Sequence, residues 1–499
     1  MSLFRTKPIE SLVAANQDGG LKRVLGPVSL VSLGIGAIIG TGIFVLTGQA
    51  AAAHAGPAIV ISMVIAGVVS ALAGLCYAEL ASTVPVAGSA YTYSYATLGE
   101  FVAWVIGWDL VLEYALGAAT VAVGWSGYFV RVLADLGIPF PAVVSAAPGT
   151  VLTVAGGQTV TAIFNLPAVV IAILVTALLV RGVHESATVN AVMVVVKVAV
   201  VLLVIAAGAW FVDTSRFSPL VPPNTGTFGE FGWSGVMRGA AVIFFAYIGF
   251  DAVSTAAQEA RQPQRDMPIG ILGSLAICSV LYVVVAAVMV GLVPYAQLGG
   301  PAPMAVAVDA AREAARGSAL APLLNAMPLL VKIAILAGLT STMVVQMLAQ
   351  PRIFMAMSRD GLLPPWMGRV HSRFGTPHLT TLATGATVAL AAGLTPIDVL
   401  GHMVSIGTLF AFVVVSAGVV ILRRTHPELP RPFKAPWSPL VPALSAVVSL
   451  ALMLSLPART WTRLFVWMVI GVAIYFGYGQ RRSRLSEHTK RAAVSQPVH

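Results

Sequence analysis

Four stretches of this chain set helix-weakening or ionisable residues inside long apolar runs, and each is suited to a particular chemistry. "GIGAIIGTGIF", Gly34 to Phe44, carries four glycines in eleven residues. Unwinding at Gly40, Thr41 and Gly42 frees amide N–H groups beside the positive end of a half-helix, which attracts a carboxylate. Carbonyls released just before the break, such as that of Ile38, would face a cation. A second run, "FFAYIGFDAVST", is interrupted by Gly249 and Asp251, so Phe245 to Gly249 offers a matching set of carbonyls. Two facing breaks can hold a zwitterion. Close helix packing through the Gly36 and Gly40 G-x-x-x-G pair is the competing explanation for the first break.

Lys197 lies in "NAVMVVVKVAVVLLVIAAGAW", about ten residues from either end of an apolar run. It is therefore roughly 15 Å from each interface at 1.5 Å per residue, too deep for its side chain to snorkel out. An ionisable residue at that depth is a functional candidate that can give and take a proton; a structural ion pair is the alternative. Asn190 lies seven residues earlier on nearly the same face. Asp109 and Glu113, in "GWDLVLEYALG", are four apart and share a helix face. Buried, they need donors, and Lys197 is one candidate partner for Glu113; local pairing near the helix start is the other reading. Asp251 is placed to cap N–H groups freed by the second break. Gln346, in "STMVVQMLAQ", is a neutral polar residue suited to an interhelical hydrogen bond.

The elements that position these residues must be membrane-spanning helices. Of 499 residues, 58% are hydrophobic and 10% charged, and the mean hydropathy is +0.90. A soluble catalytic domain does not fit that composition. Apolar windows recur at 28–48, 57–81, 101–132, 162–181, 187–211, 236–258, 268–293, 322–357, 379–394, 399–422, 436–455 and 461–479. Windows of about 20 apolar residues suit a hydrocarbon core of about 30 Å, giving twelve expected transmembrane helices. With both termini inside, twenty Lys and Arg fall in cytoplasmic segments and seven outside. That asymmetry explains the net charge of +10 without any nucleic-acid partner.

The spans divide into two blocks, 28–211 and 236–422, each opening on a broken helix and each with a long third span. This layout predicts an all-α polytopic protein with a five-plus-five inverted repeat, followed by two further helices at 436–479. Residues 1–27 and 480–499 read as cytoplasmic tails, the first without the apolar core of a signal peptide. The segment 133–161 reads as an external loop. Tyr91, Tyr93 and Tyr95 read either as an in-plane interfacial segment or as part of an aromatic belt, the second being preferred. Cys76 and Cys278, the two cysteines, suggest neither a disulfide framework nor a metal site.

Other classes leave weaker traces. "GWSG", Gly124 to Gly127, with His402 superficially matches an intramembrane serine protease, but no acid or oxyanion arrangement accompanies it. No phosphate-binding loop exists for a primary pump. A channel is the remaining alternative, since interrupted helices also build filters.

The stretches "GIGAIIGTGIFVLTG", "CYAELASTVPVAGSAYTYSYATLGE", "WDLVLEY", "FFAYIGFDAVSTAAQEARQPQRDMPIGI" and "RIFMAMSRDGLLPPW" together resemble the amino acid, polyamine and organocation transporter superfamily. The likeness is to its cationic amino acid transporter branch as found in bacteria. The resemblance implies a plasma-membrane permease that carries a small-molecule substrate, an L-amino acid, by alternating access, with no cofactor and the proton as coupling ion. It assigns Gly40, Thr41 and Gly42 to the substrate carboxylate. The carbonyls of Ile38, Phe245, Ala246 and Ile248 go to the α-ammonium, Lys197 and Glu113 to proton coupling, and Gln346 to the side-chain pocket. In eukaryotic cationic transporters the Gln346 position is small, so glutamine there departs from a pattern for arginine and lysine. An exchanger or facilitator without proton coupling is the alternative function.

Overall fold

The computed structural model describes residues 3–8, 23–84, 86, 89–153, 157–182, 187–257, 259–316 and 321–485. Most of both expected tails, and the side chain of Asn190, lie outside the described residues. The described chain is mostly helical, as apolar sequence in lipid must be: every backbone polar group needs a partner within its own segment.

Helix α1, Pro27–Ile38, starts with Pro27 at its first position, where the missing N–H costs no hydrogen bond. It ends where Ile39 turns to extended backbone. The chain resumes in a wide helical turn, Gly42–Leu46, and stays helical to a sharp bend at Gly56, whose φ is +58°. The expected gap between the first two spans is therefore this single bend. The main elements that follow are α2 (Ile59–Thr83), α3 (Ser89–Thr97), α4 (Glu100–Asp135), α5 (Leu166–Val180), α6 (Ala187–Ala209) and α7 (Gly232–Ile243). After α7 the chain runs through two short 3-10 turns, Phe244–Tyr247 and Asp251–Ala256. Then come α8 (Pro263–Leu292), α9 (Pro303–Ala314), α10 (Ala321–Arg359), α11 (His378–Leu394), α12 (Ile397–Thr425), α13 (Leu440–Ser455) and α14 (Ala458–Ile474).

Eight helical segments among the described residues are long and apolar enough to cross a membrane, and four apolar helices, α1, α5, α11 and α13, are shorter. The segment Gly232–Ala256 is the most enclosed, with 83% of its apolar window buried, against 22% for Ala458–Arg482. The interrupted helix thus sits at the centre and the last one at the rim. Helix α4 packs along α10 and α12, and α8 along α1 and α2. Exposed Val192, Val195 and Leu202 on α6, with Phe465, Val466 and Val469 on α14, form the apolar outer face expected in lipid.

Two sequence readings change here. The 133–161 connection is not featureless, because Val151–Thr153 pairs antiparallel with Thr159–Thr161 as a small hairpin. The tyrosine segment is not an aromatic belt facing lipid: it forms the short helix α3, buried along its whole length. Tyr91 donates to Asp360 at 2.7 Å and Tyr95 to Glu100 at 3.1 Å. Their hydroxyls have carboxylate partners inside the protein and so need no water interface.

Candidate functional site

The two interruptions meet. A β-carbon on Gly42 would lie 2.2 Å from Ala246 Cα, and one on Gly249, whose φ is +120°, would lie 2.7 Å from the carbonyl carbon of Ala37. Each break therefore uses a glycine to press its backbone on the other, a contact that any side chain would prevent. Gly249 serves twice, since its φ belongs to the left-handed side that L side chains avoid.

The carbonyls released at the end of α1 have specific donors. Lys197 Nζ donates to Gly36 O at 2.8 Å and to Thr342 Oγ1 at 2.8 Å. Tyr282, on α8, donates to Ile38 O at 2.8 Å. Thr342, on α10, lies 3.2 Å from Ile39 O in donating geometry. Gly36 and Ile38 are thus held by two side chains from two other helices, as lipid demands of freed carbonyls, while the one hydroxyl proton of Thr342 is shared between Ile39 O and Gly338 O, the latter at 3.1 Å. Ile38 carries a protein donor already and offers a substrate only its second lone pair. Lys197 is 1% exposed, and its contacts make it the link between α6, the first break and α10.

At the second break, Phe245 O accepts from Ile248 N at 3.2 Å. Asp251 Oδ1 accepts from the N–H of Gly249 at 3.2 Å, and Tyr114 donates to Oδ2 at 3.5 Å. Glu113 is 2% exposed. The Lys197–Glu113 pairing considered from the sequence is thus replaced by two separate groups: Lys197 at the first break and an acidic group beside the second. Asp109 lies against Gly407 of α12, where a β-carbon would stand 2.9 Å from its Oδ1.

One face of α4 connects these parts. Glu113, Gly117 and Gly124, spaced by four and seven, share it. Gly124 faces Thr41, with a β-carbon there 2.9 Å from Thr41 Cγ2, and Gly117 faces Gln346. Thr41 Oγ1, Gln346 Oε1 and Glu113 Oε1 are buried without a hydrogen-bond partner among the described residues. Buried polar atoms are paired in the great majority of cases, and these three unpaired atoms lie close to the two helix breaks, with both carboxylate oxygens of Asp109 unpaired on the same helix as Glu113. A separate apolar group, Leu46, Phe245, Ile248 and Val404, with Leu116 and Ile397 packed on it, adjoins α4.

The protease reading is not supported by the geometry. Ser126 donates to Asn165 Oδ1 at 2.6 Å, where Asn165 caps α5, while His402 faces His54 with ring centroids 6.5 Å apart. Four residues that make these buried contacts are not singled out by the sequence. Thr342, Tyr282 and Gly117 carry no signal before the helices are packed. Lys332 does: it is a lysine inside an apolar span, the same criterion that singles out Lys197. It is 0% exposed and donates to Asp135 at 2.8 Å and Asp309 at 2.9 Å.

Comparison with known proteins agrees with this architecture. The family model described as "Amino acid permease" matches residues 25–474. The chain is 44% identical over 487 residues to the methylthioribose transporter of Bacillus subtilis (strain 168), covering 97% of this chain and 100% of the relative. It is 45% identical over 488 residues to the branched-chain amino acid permease BcaP of the same organism, covering 97% and 99%. It is 37% identical over 431 residues to the vacuolar cationic amino acid transporter 4 of Arabidopsis thaliana, covering 86% and 68%. The names of these relatives are those of transporters and none is that of an enzyme. With interlocked helix breaks at its centre and a family match over most of its length, this multi-pass membrane protein belongs to the amino acid permease family of the amino acid, polyamine and organocation superfamily.

Proposed function

We propose that this chain is a proton-coupled L-amino acid symporter working by alternating access. In this reading it crosses the bacterial plasma membrane twelve times with both termini in the cytoplasm, and residues 28–211 and 236–422 are the two inverted repeats. The observation that carries the proposal is the contact of the two breaks at Gly42 and Ala246. The first N–H groups of a resuming helix have no partner within it. Gly40, Thr41 and Gly42 therefore receive the substrate carboxylate, and the carbonyls of Ala246 and its neighbours receive the ammonium.

Lys197 is the coupling residue in this reading. Its ammonium donates to the Gly36 carbonyl and to Thr342, so gaining or losing a proton changes the hydrogen bonding of the first break directly. Glu113, without direct contact to that lysine among its named neighbours, acts at the other end of the site. The apolar wall of Leu46, Phe245, Ile248 and Val404 favours neutral over cationic side chains. The relative named as a branched-chain amino acid permease supports the same preference.

Uptake of labelled amino acids into proteoliposomes, with and without an inward proton gradient, tests the reading. Concentrative uptake that follows the proton gradient and ignores sodium is expected. Uptake that requires sodium overturns the proton assignment, and counterflow with no response to either gradient would establish an exchanger or facilitator instead.

A further inference from the structure

Two histidines that the transport reading leaves without a task, His54 and His402, face each other with ring centroids 6.5 Å apart. His54 belongs to the wide helical turn Ala51–Ala55 that precedes the bend at Gly56. Its Nδ1 donates to Gly229 O at 2.8 Å. A carbonyl only accepts, so the neutral ring carries its proton on Nδ1 and leaves Nε2 as the basic nitrogen. The backbone of His54 is fixed as well: the N–H of Phe231 donates to its carbonyl at 2.8 Å, and a β-carbon on Gly235 would fall 2.2 Å from that oxygen. His402 comes from the other side, on α12.

The pair stands at one end of the apolar wall. Gly401, the residue before His402, faces Leu46, with a β-carbon 3.3 Å from Leu46 Cδ1. Val404, two residues on, packs with Leu46, Phe245 and Ile248. The two rings are therefore carried by the same two elements, the first span and α12, that bring Leu46 and Val404 together. Moving α12 away from the first span opens both contacts at once. In the proposed orientation α12 begins at the external face, so this contact closes the external mouth of the site.

Four further charged groups face the pair: Glu230 just before α7, Arg238 on α7, Asp398 one turn before His402, and Arg463 on α14. Arg238 rests against Gly229, where a β-carbon would lie 2.7 Å from Cζ, and Gly229 supplies the carbonyl that holds His54. Two of the four are acidic and two basic, so the cluster balances while both imidazoles are neutral. Protonating both rings adds two positive charges to that balance, and like charges at such spacing repel across the α12 contact.

We propose that His54 and His402 form a pH-sensitive latch over the external mouth: neutral, the rings let α12 lie against the first span; protonated, they drive the two apart and expose the site. This rests on the permease reading and names a regulation of the same site.

The experiment is exchange of labelled for unlabelled amino acid by the full-length chain in proteoliposomes, with equal pH on both sides, at about pH 5.5 and about pH 7.5, values that span the histidine range. The probe is whichever standard L-amino acid the wild type exchanges fastest. Wild type is compared with His54→Gln and with His54→Gln/His402→Gln; glutamine can still donate to Gly229 O but does not titrate. The ratio of the acid rate to the neutral rate is expected to be roughly threefold or more higher in the wild type than in the double variant, with His54→Gln between them. Where the double variant is inactive at both pH values, His54→Gln decides alone, since His54 is the more exposed of the two. Equal ratios in wild type and variants overturn the inference, as does a wild-type ratio below theirs, which would mean that protonation closes the mouth. No proton gradient is imposed, so loss of the symport assignment leaves the inference standing. A wild type that exchanges none of the amino acids removes the permease reading, and the inference with it.

Discussion

Gly42 stands so close to Ala246 that a β-carbon at position 42 would fall 2.2 Å from the Ala246 Cα atom. Backbone meets backbone here, so neither side can rotate a side chain away. Gly42→Ala must separate the two breaks, and small-to-large changes in packed interiors typically cost about 1–3 kcal/mol. The expected outcome is a lower unfolding midpoint in detergent and loss of the thermal stabilisation that an amino acid ligand gives the wild type. Gly477→Ala is the control, since nothing lies within 4 Å of its added carbon. Equal ligand-induced stabilisation in Gly42→Ala and wild type would show that the contact is not part of the site.

Lys197 reaches Gly36 and Thr342 across 161 and 145 positions of sequence. Lys197→Met fills similar space but leaves the Gly36 carbonyl without that donor, at about 1–3 kcal/mol. If the ammonium is the coupling group, the variant binds substrate and exchanges it across the membrane, yet no longer accumulates it against a gradient. The readout is the ratio of gradient-driven uptake to counterflow, which a purely structural loss lowers in both arms together. Full accumulation in Lys197→Met would remove lysine from the coupling step.

Much of the helix layout was legible because lipid enforces one rule on the whole chain: an apolar run of about twenty residues becomes a helix. A helix lies in each of the twelve apolar windows, and the two glycine-bearing interruptions fall where they break the periodic pattern. What could not be read is who meets whom. Tyr282 carries no local mark of its bond to Ile38, because that pairing is made by packing α8 against α1. The tyrosines of α3 misled for a related reason: aromatic residues at a helix boundary suit an interface and a buried carboxylate equally well, and only Asp360 and Glu100 decide between them.

Lys332 offers a separate test, away from the helix breaks. Its ammonium is fully buried and bridges the end of α4 through Asp135 to α9 through Asp309, while Arg131 stands 3.7 Å from Asp309. Removing one member of a buried charge pair typically costs about 3–5 kcal/mol. Both carboxylates keep some water contact, at 32% and 24% exposure, so the lower end applies. Lys332→Met should lower the unfolding midpoint, and adding Asp309→Asn to it should restore part of the loss because one uncompensated charge is removed. A double variant worse than either single change would show that the two act independently.

Asp360 gathers the chain's first described segment and its last. Lys7 Nζ and the Tyr91 hydroxyl donate to its carboxylate at 2.8 and 2.7 Å, and the N–H of Arg484 donates to its carbonyl at 3.1 Å. Residues 3–7 are also bonded by backbone to the start of α4, from Glu100 N to Arg5 O and from Phe101 N to Leu3 O. Gly99 makes that approach possible: its φ is +98°, and a β-carbon would lie 2.5 Å from the Phe4 backbone. Gly99→Ala should therefore dislodge residues 3–7 as a unit, through strain and overlap together. Asp360→Asn removes the ion pair but leaves those backbone bonds, so it should loosen the segment less. Limited proteolysis near Arg5 and Lys7 measures this, with cleavage fastest in Gly99→Ala, intermediate in Asp360→Asn and slowest in the wild type. Equal rates in all three would mean that this clamp does not hold the N-terminal segment in the membrane-embedded protein.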